Sequence, residues 1–194
     1  MGPQLLAVLI FVSAQAASGA RAPARVFGTG VTFAQFLEHA RAQREVWLAN
    51  SSRADIPVEI VNRLKRVRDG LRVLIVAEDW CADSVHTVPY IANLASAAGV
   101  ETRIIDRTEG APIMLTHRTR DGRPVTPTVV LLRHGRDVGA WIERPAPLQQ
   151  LFFAMATDKE SARRFAERER WYDVDRGRTT LAEFVALAER TAGR

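Results

Sequence analysis

A single cysteine, Cys81, stands in a chain of 194 residues. No internal disulfide can form, which excludes a disulfide-framed fold and a zinc site built on several cysteines. Lysine is almost missing as well. Lys65 and Lys159 are the only two, so arginine carries nearly all of the 27 basic charges set against 22 acidic ones. The net charge of +5 is interleaved with acids, and no basic block with interspersed aromatics occurs. That pattern speaks for a solvated, mildly basic surface and against a nucleic-acid interface. The four histidines, His39, His86, His117 and His134, show no ligand spacing, so no metal site is expected. Long apolar runs are also lacking. The stretch from Leu5 to Val12 is too short to cross a bilayer, and no membrane span is expected in the mature chain.

What is present begins with that short apolar stretch. Followed by the small-x-small pattern Ala14-Gln15-Ala16, it makes residues 1–16 read as a signal peptide, although Met1 to Gln4 lack the usual basic start. A cleaved leader implies an exported protein, periplasmic or extracellular. An uncleaved leader, or a start further in, implies a cytoplasmic one. Residues 17–31 are Ala/Gly/Arg-rich without apolar periodicity and read as a linker. The remainder, 32–192, reads as one domain, since 47% apolar content and this length suffice for one core.

Within that domain Thr32 is a helix cap for a stripe of Phe33, Phe36, Leu37 and Ala40 that runs on to Val46, Trp47 and Leu48, with Asn50-Ser51-Ser52 as its break. Pro57 opens a second helix bearing Val58, Val61, Leu64 and Val67. Leu71 to Ala77 is apolar apart from Arg72 and suits a strand covered on both faces. A helix from Val85 to Ala98 with a Gly99 cap, then a strand from Val100 to Asp106, completes a βαβ unit with a parallel pair. A short helix over Ala111–Thr116 follows, then a strand over Thr128–Leu132 and an antiparallel return over Val138–Ile142 across the turn His134–Asp137. From Pro147 the chain reads as helical, with Glu160/Arg164 and Arg163/Glu167 as exposed pairs. A break falls over Asp173–Gly177, and a capping box at Thr180-Leu181-Ala182-Glu183 starts the last helix. The sum is an α/β fold with a small mixed β-sheet flanked by helices.

Cys81 lies where the buried strand hands over to a helix. A thiol there sits among unpaired backbone N–H groups which, with the helix dipole, favour a reactive thiolate. The bland alternative is a small inert core residue. Trp80 divides between core packing and a cover over the sulfur. Ser84 divides between a first-turn role and a hydroxyl donated to the sulfur. Asp83 would oppose ionisation of the sulfur if its carboxylate lay close. Arg144 reads as a surface ion pair.

These residues resemble a thioredoxin-fold protein. Trp80-Cys81 follows a strand, Ser84 comes three residues later, Pro89 stands in the following helix, and Thr126-Pro127-Thr128 leads into a strand. Glu78-Asp79-Trp80-Cys81-Ala82-Asp83-Ser84 is similar to the EDWCGDS-type signature of a bacterial thioredoxin-like family. Trp141-Ile142-Glu143-Arg144-Pro145 and the late block Trp171–Gly177 also look like that family, as do the extra N-terminal and C-terminal helices. The resemblance implies catalytic Cys81 and Ser84, supporting Trp80 and Asp83, and substrate binding by Thr126 and a cis Pro127. Ser84 stands where a dithiol enzyme has its second cysteine, and Ile75 where thioredoxin has a buried strand carboxylate. The implied activity is therefore monothiol exchange on protein thiols or disulfides. It needs no bound cofactor, but glutathione or a similar low-molecular-weight thiol must resolve the mixed disulfide. A redox-inactive peptide-binding or protein-binding module is the alternative, and a peroxide-sensing thiol a third. The family implies a cytoplasmic protein, which pulls against the leader.

Overall fold

Leu71–Val76, the apolar run, forms strand β1, which lies inside the sheet with neighbours on both sides. The computed structural model describes residues 23–155 and 161–193. Around β1 the chain forms α1 (Phe33–His39), α2 (Arg44–Arg53), α3 (Val58–Arg66), α4 (Ala82–Ala98), β2 (Glu101–Ile105), α5 (Ala111–Thr116), β3 (Thr128–Arg133), β4 (Arg136–Ile142), α6 (Ala146–Ala154), α7 (Ser161–Asp175) and α8 (Arg178–Arg190). The strand order is β2-β1-β3-β4. β2 runs parallel to β1, as a βαβ unit demands, and β3 and β4 are antiparallel to their neighbours. A register shift between Leu131 and Leu132 interrupts the β3–β4 ladder.

Alternation along the strands sorts side chains into two cores. Val73, Ile75, Val129 and Leu131 pack with α4, α8 and the N-terminal helices. Leu74, Val76, Val130 and Leu132 pack on the other face with Ile113, Met114 and Phe27. Val85, Val88, Ile91 and Leu94 of α4 are fully buried. Each contributes about 1.5–3 kcal/mol by leaving water, which makes α4 a major part of this core. Gly99 (φ 71) ends α4 in the left-handed cap expected of it.

The local expectations fail where tertiary contacts intervene. α4 begins at Ala82, three residues earlier than expected, with Cys81 as its N-cap. The single helix expected from Thr32 to Leu48 is two helices. Thr32 forms its capping box with Gln35, but the chain breaks after His39. Gln43 is left-handed (φ 52), and the Asp79 carboxylate accepts the backbone N–H groups of Arg41 and Ala42 at 2.7 and 2.9 Å. Conversely, Asn50-Ser51-Ser52 lies inside α2, not at a break. Asn50 is buried and its Nδ2 donates to the Val85 carbonyl at 2.9 Å, so the side chain does not compete for its own backbone. The break expected over Asp173–Gly177 is shorter, since α7 runs to Asp175. The capping box at Thr180 does not form, because α8 starts at Arg178 behind Gly177. Glu183 instead accepts the Trp141 indole N–H and the Ala146 N–H, both at 2.8 Å.

Residues 1–16, the first part of 17–31 and the Glu160/Arg164 pair lie outside the described residues or depend on them. The described end of the expected linker is packed. Phe27 is buried and Val31 pairs with Ile104 in an isolated bridge.

Candidate functional site

Cys81 caps α4 with extended backbone (φ −78, ψ 116), its carbonyl accepting the Val85 N–H at 3.0 Å. The side chain is half-buried, and the thiol donates to the Thr126 carbonyl at 3.3 Å. The Thr126–Pro127 peptide bond is cis. Pro127 is buried and its carbonyl accepts the Glu143 N–H at 2.8 Å, which ties the loop before β3 to the end of β4. Sulfur, Thr126 and Pro127 therefore meet at one end of the sheet, although 45 residues separate Cys81 from Thr126.

The other residues of the motif divide their work. Glu78 accepts the Arg107 N–H at 2.8 Å, and Asp79 holds the α1–α2 junction while its carbonyl accepts the Trp47 indole N–H at 2.9 Å. Trp80 is not a core residue. It is 53% exposed, with the Arg107 guanidinium 5.9 Å above its ring. Ser84, in the first turn of α4, is fully buried, and its hydroxyl has no hydrogen-bond partner among the described residues. The hydroxyl-to-sulfur bond, one of its two readings, is not made, and Ser84 lies in the first turn as the other has it.

Asp83 is buried, as is Glu143 nearby, and Ile75 is fully buried among apolar side chains. The Arg144 guanidinium donates to Asp83 at 2.7 Å, and the Tyr172 hydroxyl donates to its other oxygen at 2.7 Å. Arg144 also reaches Glu143 at 2.7 Å, and Arg123 bonds both oxygens of Glu143 at 3.1 and 3.2 Å. The surface ion pair expected for Arg144 is thus a buried one, with 9% of its side chain exposed. Tyr172 stacks on His86 with ring centroids 4.6 Å apart. Asn50 Nδ2 lies 3.3 Å from His86 Nδ1, so the other nitrogen carries the proton it shares with Glu169 at 2.8 Å. Burial pushes the Asp83 carboxyl above its ordinary value, and Arg144 and Tyr172 offset only part of that rise. Burial and the Asp83 charge likewise hold the Tyr172 phenol well up. The Glu169 carboxyl is held down, chiefly by His86.

The three stretches singled out along the sequence, around Cys81, around Arg144 and around Tyr172, thus meet in one polar cluster behind the sulfur. Tyr172 and Glu143 carried no individual assignment from sequence. The signal that could have found them is that both sit in the two late blocks the resemblance marked. A cleft of about 210 Å³ that includes Trp80 and Thr126, the neighbours of the sulfur in chain and in space, is lined also by Arg107, Met114, Pro124, Val125 and Glu143. Among the described residues no cluster of three or more His, Cys, Asp or Glu is arranged to hold a metal ion, and no helix is long and apolar enough to cross a membrane.

A sequence family described as Thioredoxin matches residues 30–163. The fold is similar to a crystal structure of a protein of unknown function from Pseudomonas aeruginosa, at TM-score 0.65 and 18% identity, over 84% of this chain and 95% of that one. It is also similar to an HIV epitope-scaffold, at TM-score 0.67 and 18% identity, over 86% of this chain and 96% of that one. No curated protein matches the chain.

Proposed function

The chain belongs to the thioredoxin family, and on that footing we propose that it is a monothiol exchange protein acting through Cys81. One observation carries the reading: the only sulfur nucleophile is half-exposed at a helix N-terminus, within 3.3 Å of the carbonyl that precedes a cis proline. An extended peptide laid along Thr126 would bring its own sulfur to Cys81.

In this scheme Cys81 gives its proton to solvent and attacks one sulfur of a substrate disulfide. A bond forms to Sγ, the substrate S–S bond breaks, and the second substrate sulfur leaves as a thiolate that takes up a proton. A low-molecular-weight thiol of the glutathione class then attacks Sγ and releases the reduced substrate. A second such thiol frees Cys81 and leaves the small thiol as its own disulfide. Two small thiols are oxidised for each substrate disulfide reduced, and no bound cofactor is needed. Ser84 leaves no internal thiol to replace them. Trp80 borders the approach, and Asp83 anchors the first turn of α4 through Arg144 and Tyr172.

The test is glutathione-dependent reduction of a small disulfide substrate. Turnover that disappears in Cys81→Ser supports exchange. Absence of turnover in the folded wild type, with a peptide partner still held by Cys81→Ser, supports the binding-module reading instead. That second reading has the buried, unpaired Ser84 hydroxyl and the apolar Ile75 in its favour.

A further inference from the structure

Next to the polar cluster, between α6 and α7, lies a second cavity, of about 330 Å³. Its walls include Arg123, Arg144, Gln149, Phe152, Phe153 and Arg164. Three of these residues carry a buried polar atom with no hydrogen-bond partner among the described residues: Arg144 Nε, Arg164 Nε and Gln149 Oε1. Two are donors on cationic groups and one is an acceptor. Arg144 is more than nine-tenths buried, and its bonds to Asp83 and Glu143 both use the same nitrogen, Nη2, so Nε is left over. Two guanidiniums lie over the Phe152 ring, Arg144 at 4.0 Å and Arg164 at 5.5 Å, and the neighbouring Phe153 is 46% exposed.

Charge at this place is lopsided. An adjoining cavity of about 150 Å³ shares Glu143, Gln149 and Phe153 and adds Arg118 and Arg120. Five arginines therefore line the two spaces, against the carboxylates of Asp121 and Glu143, with Asp83 behind Arg144 as a third. Asp121 and Glu143 are both already engaged by Arg123. Guanidiniums gathered with N–H groups unspent suit an oxyanion, since their fork geometry matches carboxylate and phosphate alike. The Phe152 and Phe153 rings beside them suit an apolar or aromatic body. The volume is at the small end of the range for small-molecule sites.

We propose that the cavity lined by Arg144, Gln149, Phe152 and Arg164 binds a small molecule that carries an oxyanion, carboxylate or phosphate, on an apolar or aromatic body. Gln149 Oε1 accepts from a donor on that molecule. The site is separate from the cleft lined by Trp80 and Thr126 and meets it only at Glu143, which lines both.

Isothermal titration of the full chain with benzoate and with phenyl phosphate tests this, at ionic strength held constant with sodium chloride. Saturable binding of either probe is expected, and the probe that binds identifies the oxyanion. Arg164→Ala should weaken that binding at least tenfold and Arg164→Lys less. Phe152→Leu should weaken it several-fold without removing the charge. Melting of each variant in the absence of probe checks that it is folded. Arg144 is left intact because its removal would disturb Asp83. Failure of both probes to bind saturably, or binding unchanged in folded Arg164→Ala, overturns the proposal. Cys81→Ser should bind the probes as the wild type does, so this outcome is independent of the fate of the exchange reading.

Discussion

The Arg144 guanidinium meets the Asp83 carboxylate at 2.7 Å across 61 residues of chain, with about nine-tenths of each side chain buried. This pair, with the Tyr172 hydroxyl on the other carboxylate oxygen, fastens the helix that Cys81 caps to the end of β4 and to α7. Desolvating two charges is costly, and such a pair stabilises a fold mainly through the damage done when one member is lost.

Loss of one member should therefore be severe. Arg144→Gln leaves the Asp83 charge buried without its hydrogen-bonded cation and is expected to cost about 3–5 kcal/mol. Tyr172→Phe removes one hydrogen bond to a charged group and should cost about 1.5–3 kcal/mol. Urea unfolding of the two variants checks the order. A Tyr172→Phe loss equal to the Arg144→Gln loss would mean that the ion pair is not the principal contact.

Asp83 also gives the fold a signed response to pH. Burial raises its carboxyl in the folded state, so the folded chain holds that proton more tightly than the unfolded chain. The contribution is fully present below the ordinary aspartate range and is lost as pH rises through the raised value. Glu169, held down by His86, contributes in the opposite sense and loses its share as pH falls. Asp83→Asn abolishes only the first effect. The stability of Asp83→Asn relative to wild type should therefore climb as pH is raised from the ordinary carboxylate range through the raised value. A difference that stays flat, or falls, would contradict the buried-carboxylate assignment.

Gly177 turns the chain between α7 and α8 with φ 75, and a Cβ there would stand 2.3 Å from the Tyr90 ring. Tyr90 is itself buried, so the ring has little room to withdraw. Gly177→Ala combines a disfavoured left-handed backbone with overpacking and should cost about 1–3 kcal/mol in a thermal or urea melt. A neutral substitution would show that the α7–α8 turn can shift away from Tyr90.

Much of this arrangement was legible in the residues. The two-faced apolar run of β1, the βαβ unit and the hairpin followed from periodicity, because those elements are decided by which face is buried. The placing of Cys81 opposite Thr126 and Pro127 followed from the resemblance. What stayed hidden depended on partners far along the chain. Nothing near Asn50 announces that Val85 will occupy its amide, and nothing near Gln43 announces that Asp79 will satisfy the broken helix. Arg144 could be read as an ion pair, but its burial required knowing that α7 would cover it with Tyr172.

Ser84→Cys asks whether the first turn of α4 has dithiol geometry. Ser84 is fully buried one turn below Cys81, and its hydroxyl is unpaired, so a thiol there abandons no hydrogen bond. The variant should form a reversible disulfide with Cys81 and, once reduced, release reduced insulin without a small thiol to resolve the mixed disulfide. A folded variant that keeps two free thiols under an oxidant would place the two side chains out of reach of each other.

The central claim is that the Cys81 sulfur enters and leaves mixed disulfides. Intact-mass measurement of the native protein after exposure to glutathione disulfide tests it most directly. One glutathione adduct per chain is expected, located on Cys81, removed by added glutathione and absent in Cys81→Ser. A folded protein that stays unmodified at Cys81 under those conditions would contradict the account.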